Sequence, residues 1–273
     1  MRPSLVLRLA LVMAAVVALV PIQLLALRLG LSLAGRLPLR FHRILLRLLR
    51  VRIASSGRPP QAGTPTLVLA NHVSWIDIPV LAAIVPVSFI AKSEIAGWPL
   101  IGFLARLQRC VFVERARKAA TAEVNAVVAR RLGAGEAIVL FPEGTTGDGI
   151  RMLPFRSSLV GAARAALVEH TVEAIRLQPV AIAYRHRRGL PLTRRDMPEV
   201  AWYGDMELGP HLGQLIRGGP LDVAVVWGEP ILLDASIDRK RATLAAEQAV
   251  RSALASLRLQ DRAEGSPSGR TTR

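Results

Sequence analysis

The sequence predicts an α/β fold, a mixed sheet flanked by helices, with an N-terminal membrane-associated helical segment ahead of it. Three observations predict this. Residues 9–27 form a nineteen-residue run without charge, close to the roughly 20 residues that carry a helix across a bilayer. Residues 36–53 set regularly spaced arginines among leucines and isoleucines. Beyond residue 63, short apolar or β-branched runs alternate with longer stretches of helical period, the pattern of a layered α/β domain with its functional groups at strand ends.

The first segment, Leu9 to Leu27, is interrupted only by Pro21 and Gln23. Both weaken it as a straight span, so it reads as one transmembrane helix or as a kinked segment entering one leaflet. A signal peptide is the competing reading, with Arg2 and Arg8 as its charged region and Ser32-Leu33-Ala34 as a cleavage site. Dense positive charge follows Ala34, which favours retention on the cytoplasmic side.

In the second segment Arg36, Arg40, Arg43, Arg47 and Arg50 recur at steps of three and four. That spacing puts all five within about 80° of one helical face. Leu37, Phe41, Ile44, Leu45, Leu48 and Leu49 occupy much of the remainder, so the helix is expected in the membrane interface with its apolar side in the acyl layer. Charge supports this. The chain carries 36 Lys plus Arg against 20 Asp plus Glu, a net charge of +16, and has no acidic residue before Asp77. Such an excess seeks polyanions, and the apolar run beside it selects an anionic bilayer surface over nucleic acid.

A loop, Ser55 to Gly63, leads into the soluble part. Strands are predicted at residues 66–70, 87–91, 110–114, 137–141, 177–184 and 222–227, and helices at 77–84, 121–132, 157–169 and 237–259. The expected organisation is therefore an anchor with a basic amphipathic helix (1–54), one α/β domain (64–260) and a disordered tail (261–273). The single cysteine, Cys110, excludes an intrachain disulfide and reads as a small buried strand residue.

The densest chemistry lies in Asn71-His72-Val73-Ser74-Trp75-Ile76-Asp77. A neutral imidazole becomes a general base when one ring nitrogen donates to a carboxylate and the other faces a hydroxyl. On one continuous helix five residues rotate by about 140°, which would separate His72 from Asp77. They meet only if His72 lies in a turn after a strand and Asp77 in the first turn of the next helix, with Asn71 or Ser74 as caps. A second candidate is Phe141-Pro142-Glu143-Gly144-Thr145-Thr146-Gly147-Asp148-Gly149, where a strand runs into a Gly-rich turn able to hold a polyol or phosphate. Lys92 and Arg115 each set a cation near a strand end, suited to an anionic head group. No Gly-x-Ser-x-Gly elbow and no plausible Cys-His pairing is present in the sequence, so a covalent serine or cysteine mechanism has little support. The histidines at 42, 72, 170, 186 and 211 lack zinc-site spacing, and the last three read as cap or surface residues. No metal or cofactor is expected.

Taken in order, these segments resemble the glycerolipid acyltransferase family that includes bacterial 1-acyl-glycerol-3-phosphate acyltransferases. His72 to Asp77 matches its His-x4-Asp motif, and Pro142-Glu143-Gly144-Thr145 its Pro-Glu-Gly-Thr motif. Phe112-Val113-Glu114-Arg115 is similar to the block whose arginine contacts the lysolipid phosphate, and Gln178-Pro179-Val180-Ala181 to the fourth, apolar block. The resemblance implies the glycerol-3-phosphate acyltransferase-like fold and direct acyl transfer from acyl-CoA or acyl-carrier protein. His72 and Asp77 are then catalytic, and Glu143, Gly144, Thr145, Arg115 and Lys92 bind the acceptor. It further implies a membrane-bound enzyme on the cytoplasmic face of the inner membrane, with lipids as partners. The first acceptor it implies is 1-acyl-glycerol-3-phosphate, giving phosphatidate. Thr146 departs from that pattern, because the glycerophosphate enzymes usually carry arginine there. The stretches Gly144 to Gly149, Leu153 to Ser158 and Ala201 to Leu208 resemble the lyso-ornithine lipid branch, to whose amino-acid head group Asp205 and Glu207 would offer negative charge. The reading from another class is a thioesterase or lipid hydrolase, with water replacing the hydroxyl.

Overall fold

Two helices open the computed structural model, which describes residues 3–113, 118–161, 163, 167, 172–234 and 236–264. Helix α1 (Pro3–Arg28) runs through Pro21 without interruption, and 23 of its residues, Val6–Arg28, are long and apolar enough to cross a membrane. Pro21 has no N–H for the carbonyl four residues earlier, a local loss that the helix tolerates. Its Gln23 is buried. The Gln23 side-chain amide donates to the carbonyls of Ala34 (3.0 Å) and Leu107 (2.8 Å), which ties the end of α1 to the rest of the chain.

Helix α2 (Leu33–Leu49) carries four of the five predicted arginines on its exposed side, and the fifth, Arg50, is exposed at its C-cap with φ 60°. Its apolar side differs from expectation. Leu37, Leu46 and Leu49 are buried, and the last two pack into a core with Val68, Val80 and Val139 instead of facing lipid. Two polar contacts fix the helix further. Arg43 Nε donates to Ala83 O at 2.8 Å, and His42 Nε2 meets Gln108 Oε1 at 2.9 Å. Burial pushes the His42 imidazole down to about 4, against the opposing effect of Gln108, so this contact is made by a neutral ring.

The chain then enters the sheet without a break. β1 (Val51–Ser56) lies parallel to β8 (Leu221–Trp227) from Val51↔Leu221 to Ser56↔Val226. The expected boundary at residue 54 thus falls inside a strand, and the loop expected from Ser55 begins after Ser56. Next come β2 (Thr66–Ala70), α3 (Asp77–Ile84), β3 (Ser88–Lys92), α4 (Ser93–Ala96), α5 (Pro99–Leu107) and β4 (Val111–Val113). They are followed by α6 (Lys118–Gly133), β5 (Ala137–Leu140), β6 (Ile175–Arg187), β7 (Leu190–Pro191), α7 (Leu208–Arg217), β9 (Ile231–Leu233) and α8 (Arg239–Glu264), with β8 between α7 and β9.

The sheet order is β1-β8-β6-β2-β5-β3-β4, and β7 and β9 also pair with β6. It is mixed, as the sequence predicts, because β8 and β9 run antiparallel to β6 whereas β2, β5, β3 and β4 are mutually parallel. All five residues of β2 are buried, as a strand covered on both faces requires. Val68 and Ala70 pack on the side of α2 and α3, and Leu67 and Leu69 on the side holding Val128, Leu132, Ala246 and Val250. Register then sets the site. Thr66↔Ala137 and Leu69↔Leu140 align β2 with β5, so the turns after Ala70 and after Leu140 emerge side by side.

Three further expectations change. Helix α8 extends to Glu264, which makes residues 261–264 helical where a tail was expected. Helices α5 and α7 were not expected at all. Of the helix predicted at residues 157–169, the described part opens as a 3-10 turn, Ser157–Val160.

Candidate active site

The turn after β2 and the first turn of α3 bring His72 and Asp77 together as the five-residue spacing requires. His72 Nδ1 lies 2.8 Å from Asp77 Oδ2. Asp77 begins α3 and is completely buried. The same Oδ2 accepts the backbone N–H groups of Val73 (2.7 Å) and Ser74 (2.9 Å). Those bonds replace the water that a buried carboxylate loses. They also fold residues 72–77 back around the carboxylate, which holds the imidazole in one orientation. Nδ1 being committed, Nε2 is the nitrogen offered to a hydroxyl.

Neither of the expected caps forms, and Ile76 takes the N-cap position of α3. Asn71 is not a helix cap but a brace to the neighbouring strand, with Nδ2 donating to Ile182 O at 2.9 Å and Oδ1 accepting Ile182 N–H at 2.8 Å. Ser74 serves Asp77 through its main chain, and α3 has no side-chain cap.

The second turn supports the first. Glu143 Oε1 accepts the backbone N–H of His72 at 2.7 Å, and Oε2 accepts that of Leu153 at 2.8 Å. Gly147 N–H closes the loop by donating to His72 O at 2.8 Å. The Phe141 ring stacks on the imidazole with centroids 3.8 Å apart and planes 12° from parallel. Gly144 sits at φ 81°, where a side chain would strain the backbone. Gly144 is buried and Thr145 exposed. Glu143 therefore shapes the site by holding the main chain of His72, a role different from direct acceptor contact.

Glu143 is itself buried. Burial pushes its carboxyl up to about 7 from 4.5, outweighing the two N–H donors that oppose the shift. A raised folded value means that its stabilising contribution is complete below 4.5 and is lost as pH rises through about 7. Glu143→Gln is expected to flatten that decline between these limits while costing about 1–3 kcal/mol, because its NH2 must face one of the two N–H donors. Denaturant unfolding across the pH range checks both parts.

Tyr184 was missed as a functional residue. Its hydroxyl donates to Asp77 Oδ1 at 2.5 Å. Burial first, and then the Asp77 charge, raise the phenol well above its ordinary value, so it remains a donor. The available signal was the inward face of β6: Val180, Ile182 and Tyr184 alternate into one core, and a buried tyrosine needs a partner for its hydroxyl. Tyr184→Phe should lower stability by about 1.5–3 kcal/mol, the range for a hydrogen bond to a charged group, and should also reduce kcat; equal unfolding midpoints would refute the contact.

The other predicted residues divide. Lys92 is exposed at the end of β3, one strand away from β5. Arg115 and His170 lie outside the described residues. His211, expected at the surface, is buried instead and accepts Trp75 Nε1–H at 3.0 Å. Asp205 and Glu207 are exposed, a few residues beyond Trp202, whose N–H donates to Val73 O at 2.9 Å. Cys110 is partly buried just before β4, and burial pushes its thiol up to about 11.

Comparison with known proteins matches this arrangement. The Acyltransferase family profile covers residues 51–183, beginning at β1 and including both turns. The lyso-ornithine lipid O-acyltransferase of Brucella abortus is 49% identical over 253 residues, 91% of this chain and 94% of that protein. The protein of the same name from Rhizobium meliloti is 41% identical over 251 residues, 92% of this chain and 85% of that protein. The crystal structure of the 1-acyl-sn-glycerophosphate acyltransferase of Thermotoga maritima superposes with a TM-score of 0.60 at 21% identity, over 82% of this chain and 79% of that one. That likeness shows the fold. With the His72–Asp77 dyad in place and relatives matching over nearly the whole chain, the chain belongs to the acyltransferase family and is an acyltransferase.

Proposed function

We propose that the protein transfers a fatty acyl group from an acyl thioester, carried on CoA or acyl-carrier protein, to the free hydroxyl of lyso-ornithine lipid at the cytoplasmic face of the inner membrane. The 2.8 Å contact between His72 Nδ1 and the buried Asp77 carboxylate carries the chemistry. Nε2 of His72 takes the hydroxyl proton as the oxygen attacks the thioester carbonyl, and Asp77 stabilises the resulting imidazolium. The tetrahedral intermediate collapses with expulsion of the thiolate, which recovers a proton from the imidazolium. No acyl-enzyme forms. The general base contributes about 10²–10⁴-fold, and alignment of the two substrates supplies much of the remainder.

The names and coverage of the two bacterial relatives support lyso-ornithine lipid ahead of 1-acyl-glycerol-3-phosphate, reversing the order that the motifs suggested. Thr146 in place of an arginine agrees, since one cation for a phosphate monoester is missing. Asp205 and Glu207 lie in the segment that Trp202 joins to the catalytic turn and would face the ornithine ammonium group. Thioester consumption should depend on added lyso-ornithine lipid; turnover at the same rate without acceptor would make the protein a thioesterase.

Anchoring has its own test. Because α2 and β1 belong to the folded domain, a truncation that respects the fold removes α1 alone. Deleting residues 1–28 should release the protein from vesicles of mixed neutral and anionic lipid by at least about tenfold in partitioning, given the apolar surface withdrawn. Undiminished sedimentation with vesicles would contradict anchoring by α1.

A further inference from the structure

Helix α5 is amphipathic in an unusual direction. Leu100, Ile101 and Phe103 are 43%, 40% and 38% exposed, although all three are large and apolar. At about 100° per residue, Phe103, Leu100, Leu104 and Ile101 cover an arc of about 160° centred opposite Gly102. Gly102 is buried, and a Cβ there would come within 2.5 Å of Ala96 O. That close approach seats α5 on α4 and turns the apolar arc outward.

Both ends of this arc adjoin other parts of the fold. Leu107, in the last turn of α5, is buried and gives its carbonyl to Gln23 of α1. The arc is thus continuous with α1, whose apolar stretch is mostly exposed and whose last turn carries Arg28. Its opposite end leads to the catalytic turn. Trp98, just before α5, lies edge-on to Trp202 at 6.4 Å between centroids, and Trp202 N–H donates to Val73 O beside His72.

We infer that the Leu100–Ile101–Phe103 face of α5 is a second membrane-contact surface, inserted into the outer acyl layer of an anionic bilayer beside α1. The inference rests on the acceptor being a membrane lipid, as proposed above. With α1 alone the domain would swing on one tether. A second contact fixed to the Trp98–Trp202 pair holds the His72 turn against the lipid surface, so a lysolipid reaches Nε2 without leaving the bilayer. Insertion of apolar groups below the head groups, flanked by cations, is the usual mode of interfacial binding.

Two readouts test it on the full chain. A nitroxide at position 103 (Phe103→Cys with Cys110→Ala) in phosphatidylcholine–phosphatidylglycerol vesicles should be accessible to oxygen and shielded from a water-soluble nickel reagent; nickel accessibility equal to that without vesicles would overturn the inference. The triple variant Leu100→Ser, Ile101→Ser, Phe103→Ser should lose about tenfold or more in kcat/KM toward vesicle-embedded lyso-ornithine lipid. It should stay within about twofold of the unsubstituted chain toward a short-chain, monomeric lyso-ornithine lipid. Equal kcat/KM of both proteins on vesicles would overturn it, as would a lipid-free dimer that the triple substitution dissociates, because a second copy would then own the face. If the unsubstituted chain acylates neither acceptor, the proposed reaction fails, while the nitroxide still decides the contact.

Discussion

Replacing His72 with alanine is expected to lower kcat by about 10²–10⁴-fold, the span that a positioned general base contributes, and to leave the fold intact. With Nδ1 committed to Asp77, the imidazole has Nε2 left to receive the hydroxyl proton. Asp77 keeps three of its donors in the variant, namely Val73 N–H, Ser74 N–H and the Tyr184 hydroxyl. The turn therefore retains its framework. What disappears is the ring stacked on Phe141. Acyl transfer and circular dichroism measured together check this, and near-normal kcat in a folded His72→Ala protein would refute the general-base assignment.

Asp77 gives the second large effect, and its two substitutions separate chemistry from structure. In Asp77→Asn the amide has one orientation that fits: its oxygen takes the place of Oδ2, which receives three donors, and its NH2 faces the Tyr184 hydroxyl, which can accept. The fold survives, but a neutral amide no longer stabilises the imidazolium. Losing a charge-assisted bond worth about 1.5–3 kcal/mol predicts a fall in kcat of about 10- to 150-fold. Asp77→Ala leaves two backbone N–H groups and a phenol buried without an acceptor. At about 1–3 kcal/mol for each such group, the expected destabilisation of at least about 3 kcal/mol is a large part of a domain's stability. An unfolding midpoint unchanged in Asp77→Ala would show that the carboxylate does not organise the turn.

These contrasts bear on what the sequence could reveal. The His72–Asp77 contact was legible because the spacing admits only one geometry, and α3 begins at Asp77 as that geometry demands. β2 was legible to the residue, its four consecutive apolar positions after Thr66 being covered on both faces. The strand β1 was not. Its residues Val51–Ser56 follow an arginine-rich helix and carry no period of their own, and only pairing with β8, some 170 residues away in sequence, makes them a strand. The role of Glu143 was obscured for a related reason. Its motif suggests ligand contact, whereas both oxygens are occupied by main-chain N–H groups of His72 and Leu153, a relation fixed by the β2–β5 register.

The placement of α2 follows the same rule. Five arginines on one face were readable, and they are exposed as the spacing predicts. Whether the opposite face meets lipid or protein depends on what the fold brings against it. Leu46 and Leu49 share a core with Val68 and Val80, so the domain itself supplies the apolar partner for that part of α2. Tyr184 illustrates the limit most clearly, since no local pattern links position 184 to position 77.

The most direct test of the account offers lyso-ornithine lipid and 1-acyl-glycerol-3-phosphate together, at equal concentration in vesicles, to the full chain with a labelled acyl thioester, and identifies the acylated products. Ornithine lipid is expected as the main labelled product, and it should be lost in His72→Ala. Labelled phosphatidate as the main product, or ornithine lipid formed undiminished by His72→Ala, would contradict that expectation.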